Sequence, residues 1–282
     1  PNTNDNEEVV ESPAKVKLFN AIKVSGRTSK GLGIGIFNAI TEKTNATIRN
    51  TETGETRQEV IDPTSNYNVL VLDQRFNDNS SVSLVNTNVM RNGTFRDANV
   101  TGLYWDITNK KNTYNYFGNV EGSWIIDGKT KFGSEVLGGF AKVSGKHRLQ
   151  SNIYLRTKDY NINDLGYTGK TNFINFYGYY GYRYLQPKGN LNNMFLNFNL
   201  SHQRRLETDL FGYVNFNFNS SFTNTKFQSF GGGVELSLFG ENDFYEPRTF
   251  GRYLQVPMYF NTWVWYSSDF RKKLAFSSTL DY

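Results

Sequence analysis

Apolar and polar residues alternate with a period of two along most of this chain. In one segment, apolar side chains occupy most even positions, while Asn215, Asn217 and Asn219 occupy odd positions. The segment before it repeats the pattern, with Asn197 and Asn199 among apolar neighbours. Successive side chains of a β-strand point to opposite faces, so each such segment predicts a strand with one apolar and one polar face. Apolar positions do not recur at the i, i+3, i+4, i+7 spacing that indicates a helix.

Fourteen segments of this kind are predicted, and many run ten residues or more. Strands of globular proteins average about 5–6 residues, whereas a tilted strand that crosses a membrane needs about 9–11. The separators include tight turns at 127–129 and 207–209 and long loops at 42–66, 158–169 and 240–251. Short turns on one side and long loops on the other are typical of outer-membrane barrels. The segments lie near 16–26, 32–41, 67–76, 80–90, 97–106, 112–126, 131–143, 148–157, 170–184, 191–206, 210–224, 230–239, 252–266 and 272–282.

The pattern predicts an all-β fold, a transmembrane antiparallel β-barrel with about fourteen strands visible. We expect residues 14–282 to form the barrel domain, as a fragment of a larger barrel, after a flexible N-terminal segment at 1–13. That first segment is polar and has no apolar stretch of the kind that forms the core of a signal peptide. The chain is therefore expected to be either cytosolic or a trimmed piece of an exported protein, and the strand pattern favours the second.

Composition fits a barrel with a wet interior. Hydrophobic residues are only 38% of the chain although aromatic residues reach 16%, and a lipid-facing apolar side paired with a polar lumen reconciles these values. Tyr and Trp concentrate at membrane interfaces, because each combines an apolar ring with a polar tip. The predicted lumen-facing residues are Asn197, Asn199, Asn215, Asn217 and Asn219, and the predicted membrane-interface aromatics are Tyr177, Tyr179, Tyr182, Trp263 and Trp265.

A soluble β-sandwich shows the same alternation, and this alternative stays open. A sandwich core that held the asparagine stripes would leave amides without hydrogen-bond partners, which is costly. The same stripes would be acceptable on the solvent-facing side of a sandwich.

Candidate catalytic chemistry is sparse. The net charge is +5 and the cations are scattered, which does not indicate nucleic-acid binding. With no Cys and only His147 and His202, we predict neither a metal site nor a cofactor. His202 beside Ser201 is the best candidate base for a hydrolase, but an interfacial or turn histidine is the favoured interpretation. Carboxylates in the segment 241–246 are interpreted as solvated loop residues, and no catalytic residue is predicted.

Several blocks resemble one known family. AIKVSGRTSKGLGIGIFNAIT (21–41), NYNVLVLDQ (66–74), SSVSLVNTNVMR (80–91) and DANVTGLYWD (97–106) are similar to a Bacteroidota family of outer-membrane β-barrel proteins of unassigned function. SSDFRKKLAFS (267–277) has the same look. In that family the barrel domain usually follows a carbohydrate-binding module similar to family 9. The resemblance implies an outer-membrane location and a role in glycan handling, and it carries over no catalytic residue.

These observations lead to one functional prediction and two alternatives. The chain is predicted to be a non-enzymatic outer-membrane β-barrel protein that acts as a pore or transport module, or as an accessory scaffold of an envelope complex. Its expected partners are outer-membrane lipid, other envelope proteins and glycans. The first alternative is a secreted or surface β-sheet protein that binds glycan, and the second is a hydrolase carried on a barrel.

Overall fold

The computed structural model describes residues 1–249 and 251–282, and all regular secondary structure there is β-strand. Eighteen strands form two antiparallel sheets, one of fifteen strands and one of three. The predicted all-β fold is therefore confirmed. In the described part of the chain, no helix has the length and apolar character needed to cross a membrane.

The large sheet is a meander, because strands that follow one another in the chain pair as neighbours. Its order is β18-β17-β15-β14-β13-β12-β11-β10-β9-β8-β7-β6-β3-β2, and β16 pairs with β15 beside this path. All fourteen predicted segments correspond to strands of this sheet. Its members are β2 (Leu18–Arg27), β3 (Leu32–Thr41), β6 (Ser65–Phe76), β7 (Ser80–Arg91), β8 (Asp97–Thr108), β9 (Tyr114–Asp127), β10 (Lys129–Lys142), β11 (His147–Arg156), β12 (Phe173–Tyr184), β13 (Leu191–Arg205), β14 (Phe211–Asn224), β15 (Ser229–Asp243), β16 (Leu254–Val256), β17 (Tyr259–Ser267) and β18 (Ser277–Asp281).

The large sheet is open within the described residues. Strands β2 and β18 stand at the two ends of the order, and no pairing joins them. Across the residues that the structure describes, the strands therefore form an open antiparallel sheet and no closed barrel.

The small sheet adds strands in two segments where none was predicted. The segment 1–13, expected to be a flexible loop, contains β1 (Glu7–Glu11), and the predicted loop 42–66 contains β4 (Thr44–Asn50) and β5 (Thr56–Asp62). These strands have only five to seven residues, so a period of two is hard to recognise in the sequence. Cross-strand pairs of Glu8 with Arg49 and of Glu7 with Arg57 stabilise the order β1-β4-β5.

Register separates the large sheet into two faces. Directly opposed residues of neighbouring antiparallel strands lie on the same face of the sheet. The pairings therefore show, strand by strand, which residues share a face. We call one side the apolar face and the other the polar face. A row of aliphatic side chains on the apolar face runs through Ile34, Leu72, Leu84, Leu103, Val120 and Val136. On the polar face, Asn197 opposes Asn219 and Asn199 opposes Asn217.

The connections of the sheet differ between its two ends. One end carries only connections of nine residues or fewer, such as 77–79, 109–113 and 225–228. The other end carries the long segments 42–64, 157–172 and 244–258. The predicted asymmetry is thus present, although the tight turns at 127–129 and 207–209 lie at the long-loop end because strand direction alternates.

Two glycines of β15 accommodate indole rings from β17. Gly231 opposes Trp265 and Gly233 opposes Trp263 in the register. A Cβ atom at Gly233 would collide with the Trp263 indole and lie 2.6 Å from the Phe218 carbonyl oxygen. Both positions therefore require glycine for close packing rather than for backbone conformation.

Gly233→Val is expected to lower the stability of the sheet by about 1–3 kcal/mol, because the added methyl groups overpack the Trp263 contact. The matched control is Gly138→Val in β10, where an added Cβ would meet nothing within 4 Å. Denaturant unfolding monitored by tryptophan fluorescence measures both variants. Equal midpoints for the two variants would contradict this account of the packing.

Docking of β1 should depend on acid pH. Hydrogen bonds from the Arg57 side chain and the Asn4 backbone amide hold the pKa of Glu7 at about 2, below its ordinary 4.5. The folded-state pKa is thus the lower one, so the stabilisation is complete above about pH 4.5 and is lost as pH falls toward 2. Hydrogen exchange of the β1 amides, corrected for intrinsic rates, should show this loss. Glu7→Gln should reduce the pH step to the part contributed by Glu59, whose pKa is also lowered by hydrogen bonds from Asn2 and Arg57, and Glu11→Gln in the same strand should retain the full step.

Candidate functional site

The five predicted asparagines all lie on the polar face, and four of them form one hydrogen-bonded network. The Asn197 amide donates to Asn219 at 2.8 Å, the Asn199 amide donates to Asn217 at 3.2 Å, and Asn219 donates to Asn217 at 2.8 Å. Each link consumes one donor and one acceptor, so the amides satisfy one another across β13 and β14. The network explains how a sheet face tolerates so many half-buried amides.

Asn215, the fifth of these asparagines, connects the face to a pair of carboxylates. Its amide donates to Glu235 at 2.8 Å and to the Tyr259 hydroxyl at 3.0 Å. The Tyr259 hydroxyl in turn lies 3.0 Å from Glu241. Carboxylates, amides and a phenol thus line the polar face from β14 to β17.

The predicted interface aromatics do not share one face. The Tyr177 hydroxyl donates to Asn199 and the Tyr179 hydroxyl donates to Asn197, which places both rings on the polar face. Trp263 continues the row of Asn197, Asn219 and Gly233, and Trp265 lies two residues along the same face. Tyr182 opposes Leu196 and lies on the apolar face. Their location at a membrane interface stays a prediction.

Two buried glutamates form a second cluster on the polar face. Glu121 of β9 lies opposite Glu135 of β10, and each residue is only 7% exposed. The amide of Asn119 donates to both carboxylates, at 2.9 and 3.0 Å. Arg156 donates to Glu135 at 2.5 Å and supplies the nearby positive charge that makes this burial tolerable.

The long connection 157–172, which we call the plug loop, folds onto this cluster. Its Tyr160 is 2% exposed and donates a hydrogen bond of 2.6 Å to Glu121. Burial, together with the Glu121 carboxylate, raises the pKa of Tyr160, so its phenol stays protonated at neutral pH. A Cβ atom at Gly133 would overlap the Tyr160 backbone, so glycine there permits the close approach of the loop.

A second set of contacts anchors the plug loop farther along. Asp164 accepts hydrogen bonds from Arg91 at 2.7 Å and from Arg96 at 3.0 Å, and its side chain is 5% exposed. The Asn161 backbone amide donates to the Ser123 hydroxyl at 3.0 Å. The loop is therefore held to β7, β9 and the turn that follows β7 rather than left in solvent.

The sequence offered only a weak signal for the glutamate cluster. Glu121 and Glu135 each lie at a polar position in the alternation of a predicted strand. Whether they lie opposite each other depends on the register of the β9–β10 hairpin. The contact of Tyr160 with this cluster cannot be predicted from a local sequence pattern, because Tyr160 lies in a loop distant in sequence.

The histidines and the remaining acidic candidates are separated from one another. His202 lies on the apolar face, with its Nδ1 3.0 Å from the Tyr213 carbonyl oxygen, while its neighbour Ser201 faces the polar side. Glu241 and Asp243, predicted to lie in a loop, belong to the end of β15. Within residues 1–249 and 251–282, no group of three or more His, Cys, Asp or Glu is placed to hold a metal ion.

One family model matches residues 1–282, and its description is a domain of unknown function, DUF5916. No curated protein and no solved structure was found to match the chain. The predicted resemblance to a family of unknown function is thereby confirmed. The Bacteroidota origin and the outer-membrane location stay predictions.

Tyr160→Ala is expected to release the plug loop, because it removes a buried ring and the hydrogen bond to Glu121. A loss of this kind costs about 3 kcal/mol, so protease cleavage within 157–172 should accelerate by far more than tenfold. Tyr167→Ala is the matched control, since Tyr167 lies in the same loop and is 83% exposed. Equal cleavage rates in the two variants would show that Tyr160 does not hold the loop.

Proposed function

This chain belongs to the DUF5916 family over its whole length, and we propose that it forms part of the wall of an outer-membrane β-barrel. In this proposal the protein is non-enzymatic. It acts as a pore or transport module, or as a scaffold of an envelope complex, with the apolar face against lipid and the polar face against water.

The exposure of the apolar face carries the proposal. Large apolar side chains remain open along the sheet, with Ile36 at 50%, Leu103 at 45%, Val120 at 46%, Leu200 at 50% and Phe260 at 52%. Water contact with such surface costs roughly 25 cal/mol per Å². Soluble monomers rarely expose an apolar patch beyond a few hundred Å², and these exposed side chains come from five strands, β3, β8, β9, β13 and β17. Lipid is the covering that suits a face of this breadth.

Strand length supports the same environment. Strands β6 to β10 have 12 to 14 residues each. At about 3.3 Å per residue and a tilt near 45°, such strands rise about 30 Å along the barrel axis. This exceeds the outward apolar band of about 25 Å that barrels present to lipid.

The polar face suits a hydrated interior. Its amides, carboxylates and phenols are joined by hydrogen bonds, and the plug loop occupies part of the space beside it. A loop anchored by Tyr160 and Asp164 would narrow a passage along this face. This arrangement favours a restricted pore or a scaffold rather than a wide open channel.

Closure requires further strands. The edges of β2 and β18 present backbone groups that a barrel would pair, and an exposed sheet edge invites strand addition. All ten residues of β2 are exposed, including Ile22 and Val24 on the apolar face. In the proposal these edges pair with strands of the same protein or of an envelope partner.

A glycan role is favoured by one observation, the position of Trp263 and Trp265 on the polar face. Flat rings near hydrogen-bonding amides are the combination that sugar sites use, and Asn261 lies two residues before Trp263 on the same face. A lumen of this kind would contact glycan as cargo. In the alternative, a secreted glycan-binding sheet would use the same residues without lipid on the other face.

Leu103→Arg tests the environment of the apolar face. In a membrane the charge should cost about 2–4 kcal/mol near the midplane and reduce insertion into lipid vesicles by tenfold or more. In a soluble sheet the change should be nearly neutral, because Leu103 is already 45% exposed. The measurement is the folded fraction that is protected from protease in vesicles.

The matched control is Ser81→Arg, which places the same charge on the polar face of the neighbouring strand β7. It should insert like the unaltered protein, because a lumen tolerates charge. Folding of the unaltered protein in buffer without lipid or detergent, with Leu103→Arg harmless, would overturn the membrane proposal.

A further inference from the structure

A cavity of about 690 Å³ opens at the long-loop end, away from the glutamate cluster and the asparagine network. The plug loop, the turn between β13 and β14, and the connection after β15 all contribute to its wall. We call it the mouth cavity. Its volume falls in the range of about 300–1,000 Å³ that is usual for small-molecule sites.

The walls of the mouth cavity are tied together by hydrogen bonds. The Asn172 amide donates to Glu207 at 2.9 Å, and the Glu207 backbone amide donates back to Asn172 at 3.0 Å. The Tyr245 hydroxyl donates to the Thr171 carbonyl oxygen at 2.8 Å. Three separate connections are therefore joined, and the cavity is largely preformed.

Among the described residues, four cationic side chains line the cavity, and Glu207 supplies the single carboxylate there. That carboxylate is already engaged, since it accepts from Asn172 and lies 4.0 Å from Lys158. In the described part of the chain, none of the four cations forms an ion pair. They are Lys170, Arg205, Arg248 and Arg252.

Aromatic rings position two of these cations. The Lys170 ammonium lies 4.9 Å from the centre of the Tyr245 ring, and the Arg205 guanidinium lies 5.3 Å from Phe244 and 5.5 Å from Tyr245. A ring attracts the cation without consuming its N–H donors as a carboxylate would. Positive charge is therefore concentrated, and Arg205, which also hydrogen-bonds to Tyr245, keeps further N–H donors.

We propose that the mouth cavity binds a phosphate ester. A dianionic phosphate has enough charge to engage several cations, and the planar guanidinium presents paired donors that match its oxygens. A phosphate carries about two negative charges at neutral pH, against one for a carboxylate. The site does not depend on what covers the apolar face, so it stands apart from the proposed membrane role.

Arg204 provides a control one residue away from the site. It belongs to the opposite face of β13, and it is bound to Asp209 at 2.5 Å instead of lining the cavity. Arg204→Gln therefore removes the same charge from the same strand without touching the proposed ligand.

The experiment titrates the purified chain, in a nonionic detergent, with glucose 6-phosphate and separately with detergent micelles that contain phosphatidic acid. We expect binding of at least one probe with a dissociation constant below about 1 mM. Arg205→Gln, and independently the exposed pair Arg248→Gln with Arg252→Gln, should each weaken it about tenfold or more, and Arg204→Gln should not. Binding should also weaken below about pH 6, where the phosphate gains a proton.

The two probes distinguish the source of the phosphate. Preference for glucose 6-phosphate supports a soluble phosphosugar, and preference for phosphatidic acid supports a lipid headgroup. The proposal is overturned if neither probe binds, if glucuronate binds more tightly than both, or if Arg204→Gln weakens binding as much as the cavity variants. These results leave the membrane test with Leu103→Arg unaffected, so the two proposals fail separately.

Discussion

The antiparallel hydrogen-bond ladder is the constraint on which the rest of this structure depends. Because neighbouring strands exchange backbone hydrogen bonds in a fixed register, each residue is assigned to one face, and a slip of one position would exchange the faces. The row from Ile34 to Val136 crosses six strands without a polar residue. The agreement of register and side-chain pattern is local, because a second row on the same face consists of Asn38, Asn68, Asn88 and Asn99.

The polar face solves a different problem, which is to hold many hydrogen-bonding groups in partial burial. Asparagines pair with asparagines on β13 and β14, whereas carboxylates on β9 and β10 are satisfied by Asn119, Arg156 and phenols. Burying two opposed glutamates is unfavourable unless each is hydrogen-bonded. Tyr160 completes that requirement for Glu121, so the plug loop and the cluster stabilise each other.

The long-loop end combines these features. The plug loop begins at the glutamate cluster and ends at the mouth cavity, where Asn172 binds Glu207. One connection thus links the polar face of β9 and β10 to the turn between β13 and β14 and to the segment after β15. Tyr160 and Asn172 lie on the same sixteen-residue connection.

The sequence by itself determined the long strands, because period two over ten or more residues has few other structural solutions. The sequence also determined that Asn197 and Asn217 lie on the polar face of their strands. It did not reveal β1, β4 and β5, because the ion pairs that join β1 to β4 and to β5 connect segments about 40 and 50 residues apart. It did not show which face Tyr177 and Tyr179 occupy, because aromatic residues occur at both odd and even positions of β12.

Only the tertiary structure decided which groups meet. Strand register places Glu121 opposite Glu135. Loop packing brings Tyr160 to Glu121, and it places Arg205 and Arg248 around one cavity. Local sequence patterns record which face a residue takes, since that depends on its neighbours in the chain. They do not record long-range contacts, since those depend on where the other strands and loops lie.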